Sequence, residues 1–596
     1  MKNKACCWIL AILGIFCILF VLLIGVAIST IAGLGELTGG KVEPLKEQSF
    51  LLIRLSGVQP DYDSAPNIGT ITSGQPLTIH SIRQALQHAK NDDMIRGLVL
   101  RPVGTGGFAS LREIREAVRD FKESGKPVYA FAEIATDRDY YLASIADSIF
   151  MPSTLSGGLF LEGLGISSTY LAKTFDKLGI KFHVFHMGEY KGAFESWGSD
   201  KMSEPLRESL QSLIDDLYDV YIHEIAADRN ALSYDALENE MMNGDKFIIS
   251  PVDAVQKGFI DDLVDWQNFK DRIMNDKDKD FAGILVGDYL HTFKDKPGEK
   301  KKIAVVYAQG EINYSYGDGG NDPFETDDKI KSAEFAQLLR EIRDDEDIAA
   351  VVLRVNSPGG SALASKVILE ESLRMKAAKP FVVSMGSVAA SGGYYISCGA
   401  NSIVAQPNTI TGSIGVVAML PNLEGLYNKI EAHEEVVKKG KWAQFFRIDK
   451  EITDEQRDVL NSFLEEVYSE FRSDVASGRS MTVEDVQEVA RGRVWTGRQA
   501  HERGLVDELG GLYDAIDKAC ELANLDPKEV YVQYYPKKQE LFDFIIERIF
   551  SGVNAWQQTW FMTPEGFLAK RALDYLQKFS DSRDYVQAIL PIEAIE

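Results

Sequence analysis

Ser391 and Lys191 are the two residues of this 596-residue chain whose settings best suit covalent chemistry. The serine lies in 389-AASGGYY-395, a run of small residues that ends in two tyrosines, and the lysine lies in 188-GEYKGA-193. Serine is a weak nucleophile at neutral pH and needs a base within hydrogen-bond reach. No histidine lies near the serine motif, but a lysine can act as the base once desolvation lowers its pKa. The pair therefore favours acyl transfer.

The two residues belong to two halves of the chain that resemble each other. The segment that holds Ser391 matches an earlier segment in which Asp137 takes the place of the serine, once the paired tyrosines that follow are aligned. The segment that holds Lys191 matches a later segment in which Ala443 takes the place of the lysine. Each half keeps one member of the pair, which predicts a site assembled from both halves.

Other matching segments occur in the same order along both halves. Residues 97–127 align with residues 350–380 without gaps, through a buried strand, a Gly-Gly turn, an amphipathic helix and a Lys-Pro pair. Farther on, 254-AVQKGFIDDL-263 matches 500-AHERGLVDEL-509. Short strands that alternate with helices predict α/β domains with crossover connections. The sequence therefore predicts an internal duplication of an α/β unit.

Glycines near the serine are candidates to stabilise the negative charge that develops during acyl transfer. A helix that begins after Ser391 would direct the N–H of Gly392 toward developing charge. The turn 356-NSPGG-360, between a strand and a helix, can offer the N–H groups of Gly359 and Gly360. Glycine lets such a backbone approach a substrate carbonyl closely. These three residues are the candidate oxyanion donors.

The N-terminus carries a strong topological signal. After Lys2 and Lys4 no charge occurs until Glu36, and residues 5–28 are apolar almost throughout. As a helix this segment would span about 36 Å, enough for the roughly 30 Å hydrocarbon core of a bilayer. The alternative is a cleavable signal peptide, whose apolar region would run only about 7–15 residues. We expect an uncleaved anchor with a cytoplasmic N-terminus and the rest of the chain outside the inner membrane.

Charge and side-chain chemistry exclude several classes of partner. The formal net charge of −25 argues against nucleic-acid binding. We expect no cofactor. We also expect no metal site at His183 and His186, because these side chains would point to opposite faces of one strand. The acidic loop 317–328 lacks the spacing of an EF-hand calcium site. The five cysteines form no disulfide framework or zinc motif.

Four motifs in order resemble the signal peptide peptidase A family, in its long, duplicated and membrane-anchored form. They are 356-NSPGG-360, 389-AASGGYY-395, 411-TGSIG-415 and 493-RVWTGRQAHERGLVDELG-510, within a resemblance that spans roughly residues 50–530. The resemblance implies the fold of the ClpP and crotonase superfamily. It implies a membrane-bound serine endopeptidase at the bacterial inner membrane, single-pass, with its catalytic part outside the cytoplasm. It also implies a homotetramer that hydrolyses cleaved signal peptides and other short hydrophobic peptides.

The same resemblance implies roles for individual residues. Ser391 matches the nucleophile, Lys191 the general base, and Ser413 a serine that orients the lysine amine. The resemblance predicts four domains. They are an N-terminal anchor at residues 1–35, a first ClpP/crotonase-like repeat at 48–293, a second such repeat at 302–535 and a C-terminal helical extension at 536–596. Within that extension, residues 541–562 predict a packing or subunit-contact helix, with contact to the membrane surface as the alternative.

Three alternatives stay open at the level of sequence. The base could instead come from the repeat that holds the serine, from Lys438, Lys439 or Lys441, although these are displaced from Ala443. A crotonase-like acyl-CoA hydratase or thioesterase would use the same Gly-Gly donors but acidic catalytic residues. A membrane scaffold that has lost activity is the third alternative.

Overall fold

The computed structural model describes residues 45, 48–58, 60–62, 77–244, 246–274, 281–293, 300–316, 329–536 and, for the backbone alone, 587–589. The predicted anchor, the acidic loop 317–328 and the predicted helix 541–562 lie outside these residues. Within the described part of the chain, no helix combines the length and the apolar character that a membrane span requires.

The first half alternates strands and helices along residues 49–290. Its strands are β1 (Ser49–Val58), β2 (Ile95–Gly106), β3 (Val128–Phe131), β4 (Ile134–Thr136), β5 (Ser148–Met151), β6 (Gly158–Phe160), β7 (Lys181–Met187), β8 (Asp262–Leu263) and β9 (Gly283–Leu285). Its helices are α1 (Ile79–Asn91), α2 (Phe108–Lys122), α3 (Asp137–Ala143), α4 (Ala172–Leu178), α5 (Glu195–Gly198), α6 (Glu204–Asp228), α7 (Tyr234–Asn243), α8 (Pro251–Gln256), α9 (Trp266–Met274) and α10 (Val286–Leu290).

The second half repeats this alternation from residue 301 onward. Its strands are β10 (Lys301–Gln309), β11 (Glu311–Asn313), β12 (Lys329–Lys331), β13 (Ile348–Ser357), β14 (Gly359–Ser361), β15 (Phe381–Ala390), β16 (Ser402–Ala405), β17 (Ile410–Gly412), β18 (Val416–Asn422), β19 (Val494–Thr496), β20 (Glu508–Leu509), β21 (Val530–Tyr535) and β22 (Gln587–Ile589). Its helices are α11 (Ser332–Asp344), α12 (Ala362–Ala378), α13 (Gly392–Ser397), α14 (Glu424–Lys429), α15 (Asp454–Arg479), α16 (Val483–Val489), α17 (Gly497–Glu502) and α18 (Leu512–Leu522), with a 3₁₀ turn at Pro527–Glu529.

Each half is built on a parallel sheet, and the strand order of the two sheets is the same. The first sheet runs β8-β5-β3-β2-β1-β9, and the six equivalent strands of the second run β20-β16-β15-β13-β10-β21. The second sheet has two more strands, since β17 also pairs with β15 and β19 pairs antiparallel with β17. Their strands are nearly continuous apolar runs, because helices cover both faces of a parallel sheet. The predicted α/β class is confirmed, and the shared order is what the predicted duplication requires. The residue limits of the predicted domains stay predictions.

A third sheet joins the two halves. Its order is β12-β11-β14-β22-β18-β7, so that a first-half strand, β7, pairs with a second-half strand, β18. The pairing is antiparallel and runs through seven residue pairs, from Val416 opposite Met187 to Asn422 opposite Lys181. The strand predicted to hold His183 and His186 is therefore confirmed, and it carries the chain of the first half to the edge of the second.

The two long helices begin with side-chain caps that their sequences supply. Thr453 accepts the N–H of Gln456 at 3.2 Å, and the Gln456 side chain accepts the N–H of Thr453 at 2.9 Å, which completes a capping box at the start of α15. Ser203 caps α6 in the same place and accepts the N–H of Leu206. The Asp216 carboxylate of α6 accepts hydrogen bonds from Thr496 and Arg498, so this helix ties the first half to the second.

A buried ionic cluster also links the halves. The Arg354 guanidinium on β13 lies 2.8 Å from the Asp61 carboxylate and also contacts Glu113 on α2, and all three side chains are almost completely buried. Arg354 donates further to the Ser384 hydroxyl at 2.9 Å. Removing one partner of such a cluster leaves a buried charge uncompensated, which is strongly destabilising. The cluster therefore holds the halves in one fixed relation.

Candidate active site

Ser391 lies at a sharp junction between a strand and a helix. Strand β15 ends at Ala390, and α13 begins at Gly392. Between them Ser391 has φ of 57° and ψ of −114°, an unusual conformation for a residue with a Cβ atom. Its N–H donates to the Gly412 carbonyl at 2.8 Å. At Gly393 a Cβ atom would lie 2.6 Å from the Ser357 carbonyl oxygen, so the helix packs against β13 only because its second residue is glycine. The predicted turn into a helix is present.

Lys191 reaches the second half because β7 leads to it. The lysine follows Met187, the last residue of β7, by four positions. Since Met187 pairs with Val416 of β18, the chain leaves the ladder next to the 411-TGSIG-415 segment. Residues 200 positions apart in sequence are brought together in this way.

Three polar contacts surround the lysine amine. Lys191 Nζ lies 2.6 Å from Ser391 Oγ, 2.8 Å from the Ser413 carbonyl oxygen and 3.0 Å from Ser413 Oγ. Ser413 itself has φ of 51°, and its N–H donates to the Arg493 carbonyl at 2.7 Å. The structure thus brings together the three residues for which the sequence predicts nucleophile, base and orienting roles.

Burial determines the electrostatics of this group. Ser391 and Ser413 expose none of their surface, and Lys191 exposes 1%. Desolvation lowers the pKa of Lys191 well below its ordinary value of 10.5, because the charged amine has lost its water. The lowered pKa favours the neutral amine, which is the form that can accept a proton.

A turn of the second half at Arg491 and Gly492 holds in place the loop that carries Lys191. The sequence did not predict this contact. The Tyr190 N–H donates to the Arg491 carbonyl at 2.9 Å, and the Gly492 N–H donates to the Ile414 carbonyl at 2.8 Å. A Cβ atom at Gly492 would lie 2.5 Å from Lys191 Cβ, and one at Gly188 would lie 2.3 Å from the Arg491 carbonyl carbon. The only signal in the sequence was a glycine directly before the motif that begins at Arg493.

The candidate oxyanion glycines lie beside the serine on two elements. Gly392 is the first residue of α13, so its N–H has no acceptor within the helix. Gly359 and Gly360 form most of β14, against which α13 lies. The sequence predicted a turn here, but the segment pairs as a short strand. Gly360 approaches β11 so closely that a Cβ atom would lie 2.1 Å from the Ile312 carbonyl oxygen.

The rival bases lie away from this group. Lys438, Lys439 and Lys441 are all exposed, and Lys441 Nζ lies 2.6 Å from a Glu455 carboxylate oxygen instead. Of the two histidines on β7, His183 faces the Glu451 carboxylate at 3.2 Å, while the His186 ring contacts the Gly188 carbonyl. Among the described residues, no set of three or more His, Cys, Asp or Glu side chains could hold a metal ion.

Carboxylates fill the equivalent position in the first half. Asp137 begins α3 as Ser391 precedes α13, and it accepts the N–H groups of Glu162 at 2.9 Å and Gly163 at 3.3 Å. Burial raises the pKa of Asp137, and these N–H donors oppose the rise. Asp139 accepts the N–H of Thr105, which lies in the turn equivalent to 356–360. The carboxylates that stand near the position of the serine thus accept backbone N–H groups of their own repeat.

Comparison with known proteins identifies the family. The model of peptidase family S49 matches residues 120–280 and 374–526, one segment in each half. "Protease 4" of Salmonella typhi is 33% identical over 586 residues, which cover 94% of this chain and 90% of that protein. "Serine protease SPPA, chloroplastic" of Arabidopsis thaliana is 32% identical over 464 residues, which cover 75% of this chain and 66% of that protein.

A solved structure that aligns with part of the chain is that of a ClpP1 mutant from Listeria monocytogenes. It has 14% sequence identity and a TM-score of 0.23, and the alignment covers 36% of this chain and 94% of that one. A TM-score this low carries no argument, so the family assignment rests on the sequence matches. They cover both halves of the chain and most of its length. The chain therefore belongs to peptidase family S49 and is a serine-type peptidase.

Proposed function

We propose that the chain is a membrane-anchored endopeptidase that uses a Ser–Lys dyad, with Ser391 as nucleophile and Lys191 as general base. The observation that supports this most directly is the 2.6 Å separation of Lys191 Nζ and Ser391 Oγ, both of which belong to buried side chains. A base must lie within about 2.6–3.2 Å of the proton that it abstracts. Membership of a peptidase family argues against the acyl-CoA hydratase or thioesterase alternative.

The three contacts of the amine suit its neutral form. A neutral amine has one lone pair and two N–H donors. The lone pair accepts the Ser391 hydroxyl proton, while the two N–H groups donate to the carbonyl and hydroxyl oxygens of Ser413. Ser413 therefore turns the lone pair toward the nucleophile, which is the orienting role that the family resemblance implies. These contacts are enough to fix the geometry of the base.

Acyl transfer proceeds in two stages. Lys191 takes the Ser391 proton as Oγ attacks the scissile carbonyl carbon, and the N–H groups of Gly360 and Gly392 stabilise the resulting oxyanion. The Gly359 N–H, which donates to Ser357 Oγ at 3.2 Å, contributes only if it leaves that acceptor. Protonated Lys191 then gives its proton to the leaving amine, which leaves an acyl ester on Ser391. A water molecule, deprotonated by Lys191, attacks that ester. Lys191 then returns this proton to Ser391 Oγ as the ester bond breaks and the new carboxyl terminus is released. Loss of one oxyanion donor typically costs about 10²–10³ in rate.

The proposed substrates are cleaved signal peptides and other short hydrophobic peptides. The proposed location is the extracytoplasmic face of the bacterial inner membrane, held by a single helix at residues 5–28, in a homotetramer. The apolar run at residues 5–28, free of charge until Glu36, supports the anchor. The substrate class and the tetramer follow from the family resemblance.

Hydrolysis of a synthetic signal peptide by the detergent-solubilised full chain tests this function. We expect the wild type to cleave the peptide within its apolar segment and to leave a folded globular protein intact, because a folded protein cannot bring a peptide bond to a buried serine. The measurement is mass spectrometry of the products over time. Equal cleavage by wild type and Ser391→Ala would show that the activity has another origin, and absence of cleavage would favour the inactive scaffold.

A Gly492→Ala variant is expected to lower kcat about 10²-fold while KM changes little. The added methyl would overlap Lys191 Cβ and the lysine backbone, at 2.5 and 2.6 Å, and would move the amine away from Ser391. A displacement of about 1 Å can cost this much. Gly504→Ala is the matched control, since its φ of 73° resembles the 77° of Gly492 but no atom lies within 4 Å of the added methyl. Equal kcat values for the two variants would contradict the seating role.

A further inference from the structure

Strand β15, which leads to Ser391, contains a bulge shortly before the nucleophile. Its register with β13 shifts between Val355 and Ser357, so that residues 386–388 of β15 stand opposite Asn356 alone. A β-bulge bends its strand and re-aims the side chains that follow, and such bulges are common next to active sites. The position of Ser391, three residues beyond the bulge, therefore depends on the groups that hold the bulge.

Side chains of the first half pack against this bulge. The Asp61 carboxylate lies so close that a Cβ atom at Gly386 would be 2.9 Å from Asp61 Oδ2. The Ser110 hydroxyl, on α2, lies 2.9 Å from the Ser387 hydroxyl. Both Asp61 and Ser110 are almost completely buried. The first half therefore supports the strand of the nucleophile in addition to supplying the base.

Asp61 also reaches β15 through Arg354. The guanidinium lies 2.8 Å from Asp61 Oδ1, and it donates to the Ser384 hydroxyl at 2.9 Å and to the carbonyl of the next residue at 3.2 Å. These two acceptors directly precede the bulge. The equivalent arginine of the first half, Arg101, contacts Glu133 of its own half in a partly exposed ion pair instead. In the half that holds the serine, the carboxylate comes from across the junction of the halves.

Side chains of the second half hold the bulge from the other side. Asn356 Oδ1 accepts the Val388 N–H at 3.2 Å, and the Thr409 hydroxyl donates to the Gly386 carbonyl at 2.8 Å. Only two alanines, both fully buried, separate the bulge from Ser391. Because close packing leaves these alanines little room to adjust, a shift of the bulge would move the nucleophile.

We propose that Asp61 is a positioning residue for the nucleophile, since it holds the bulge of β15 in place by direct contact and through Arg354. The inference rests on the proposed function, because it gives the Ser–Lys dyad a second contribution from the first half. Asp61 acts on Ser391 through the strand and does not touch the reacting atoms. The union of the two halves then fixes the place of the nucleophile as well as that of the base.

The first test is Asp61→Asn in the full chain. Asparagine keeps the shape of the side chain but not its charge, while Glu113 remains as a charged partner of Arg354. We expect kcat for a short fluorogenic hydrophobic peptide to fall about 10²-fold with KM unchanged, since a displacement of about 1 Å can cost this much. Phosphonylation of Ser391 by a small fluorophosphonate should slow by the same factor, because it needs the nucleophile but no bound peptide.

The matched control is Asp261→Asn. Asp261 accepts hydrogen bonds from the buried Arg229 guanidinium at 3.0 and 3.1 Å, within the first half. This variant also removes the charged partner of a buried arginine, so its melting temperature should fall, while both rates should keep their wild-type values. A loss of kcat as large as that of Asp61→Asn would mean that lost stability alone slows the enzyme, and the positioning role would be overturned.

Gly386→Ala disturbs the same bulge without removing a charge. The added methyl would lie 2.9 Å from Asp61 Oδ2 and 3.1 Å from Asn356 Cβ. It should lower kcat and the rate of phosphonylation together and leave KM unchanged, which keeps the inference testable even if Asp61→Asn does not fold. A wild-type kcat in this variant would contradict the link between bulge and nucleophile.

The inference and the function on which it rests can fail separately. If Ser391→Ala is inactive but Asp61→Asn has the wild-type kcat, the positioning role is overturned and the peptidase proposal stands. If Ser391→Ala hydrolyses the peptide as fast as the wild type, the proposed function fails, and the inference fails with it.

Discussion

Ser391→Ala is expected to abolish peptide hydrolysis, with kcat reduced by a factor on the order of 10⁶. The substitution removes the Oγ atom that lies 2.6 Å from Lys191 Nζ at the junction of β15 and α13. Water attacking directly would lack the covalent intermediate that divides the reaction into two easier steps. The measurement is single-turnover cleavage of a signal peptide, followed long enough to detect slow residual activity.

A serine on α13, the helix that follows Ser391, provides the control. Ser397 is fully buried, and its hydroxyl donates to the Gly393 carbonyl at 2.7 Å rather than to the lysine amine. Ser397→Ala should lose about 1 kcal/mol of stability, the ordinary value of one hydrogen bond, and should keep its activity. Comparable activity losses in both variants would point to damage of α13 in general and against Ser391 as the nucleophile.

Lys191→Met is expected to lower kcat by about 10⁴, the upper range for removal of a general base. Methionine fills nearly the same volume but has no lone pair that can take the Ser391 proton. The control is Lys441→Met, which removes an exposed lysine of the rival group that contacts Glu455. It should hydrolyse peptide at the wild-type rate. Activity retained by Lys191→Met and lost by Lys441→Met would reverse the assignment of the base.

Lys191→Met should have a higher free energy of unfolding than the wild type at neutral pH. Folding lowers the pKa of Lys191 from 10.5, so between that lowered pKa and 10.5 the unfolded state binds more protons than the native state. The free energy of unfolding therefore rises with pH through this window, and below it the full penalty applies. Lys191→Met lacks this dependence. Chemical denaturation of both proteins at several pH values would measure it.

The catalytic rate should also rise with pH as the Lys191 amine loses its proton. Only the neutral amine accepts the Ser391 proton, so kcat/KM should rise with pH along an acid limb that lies well below 10.5. A limb found at about 10.5 would mean that the amine is hydrated and charged during catalysis, in conflict with its 1% exposure.

Much of the site could be predicted because its chemistry depends on residue type and order. Asp137 stands where the first half would have the serine, and Ala443 stands where the second half would have the lysine. These two replacements indicated that Ser391 and Lys191 must meet. The alternation of strands with helices indicated the α/β class. The contact of the lysine loop with the turn at Gly492 could not be predicted, since it depends on backbone hydrogen bonds of 2.8–2.9 Å that form only in the folded chain. The β14 strand was also missed, because three residues rich in glycine carry no strand pattern and form a strand only through their neighbours.

The loop that carries Lys191 is held in place by the turn at Gly492, which is synthesised later. This order affects when the enzyme first becomes active. Roughly 300 residues separate Lys191 from Gly492, and a ribosome adds about 5–20 residues per second, so about 15–60 s pass between the synthesis of the base and that of its support. Throughout that interval the growing chain holds a lysine without its partner serine, and later a serine without a seated lysine. An unfinished chain therefore lacks the proposed Ser–Lys dyad and should have no peptidase activity of its own.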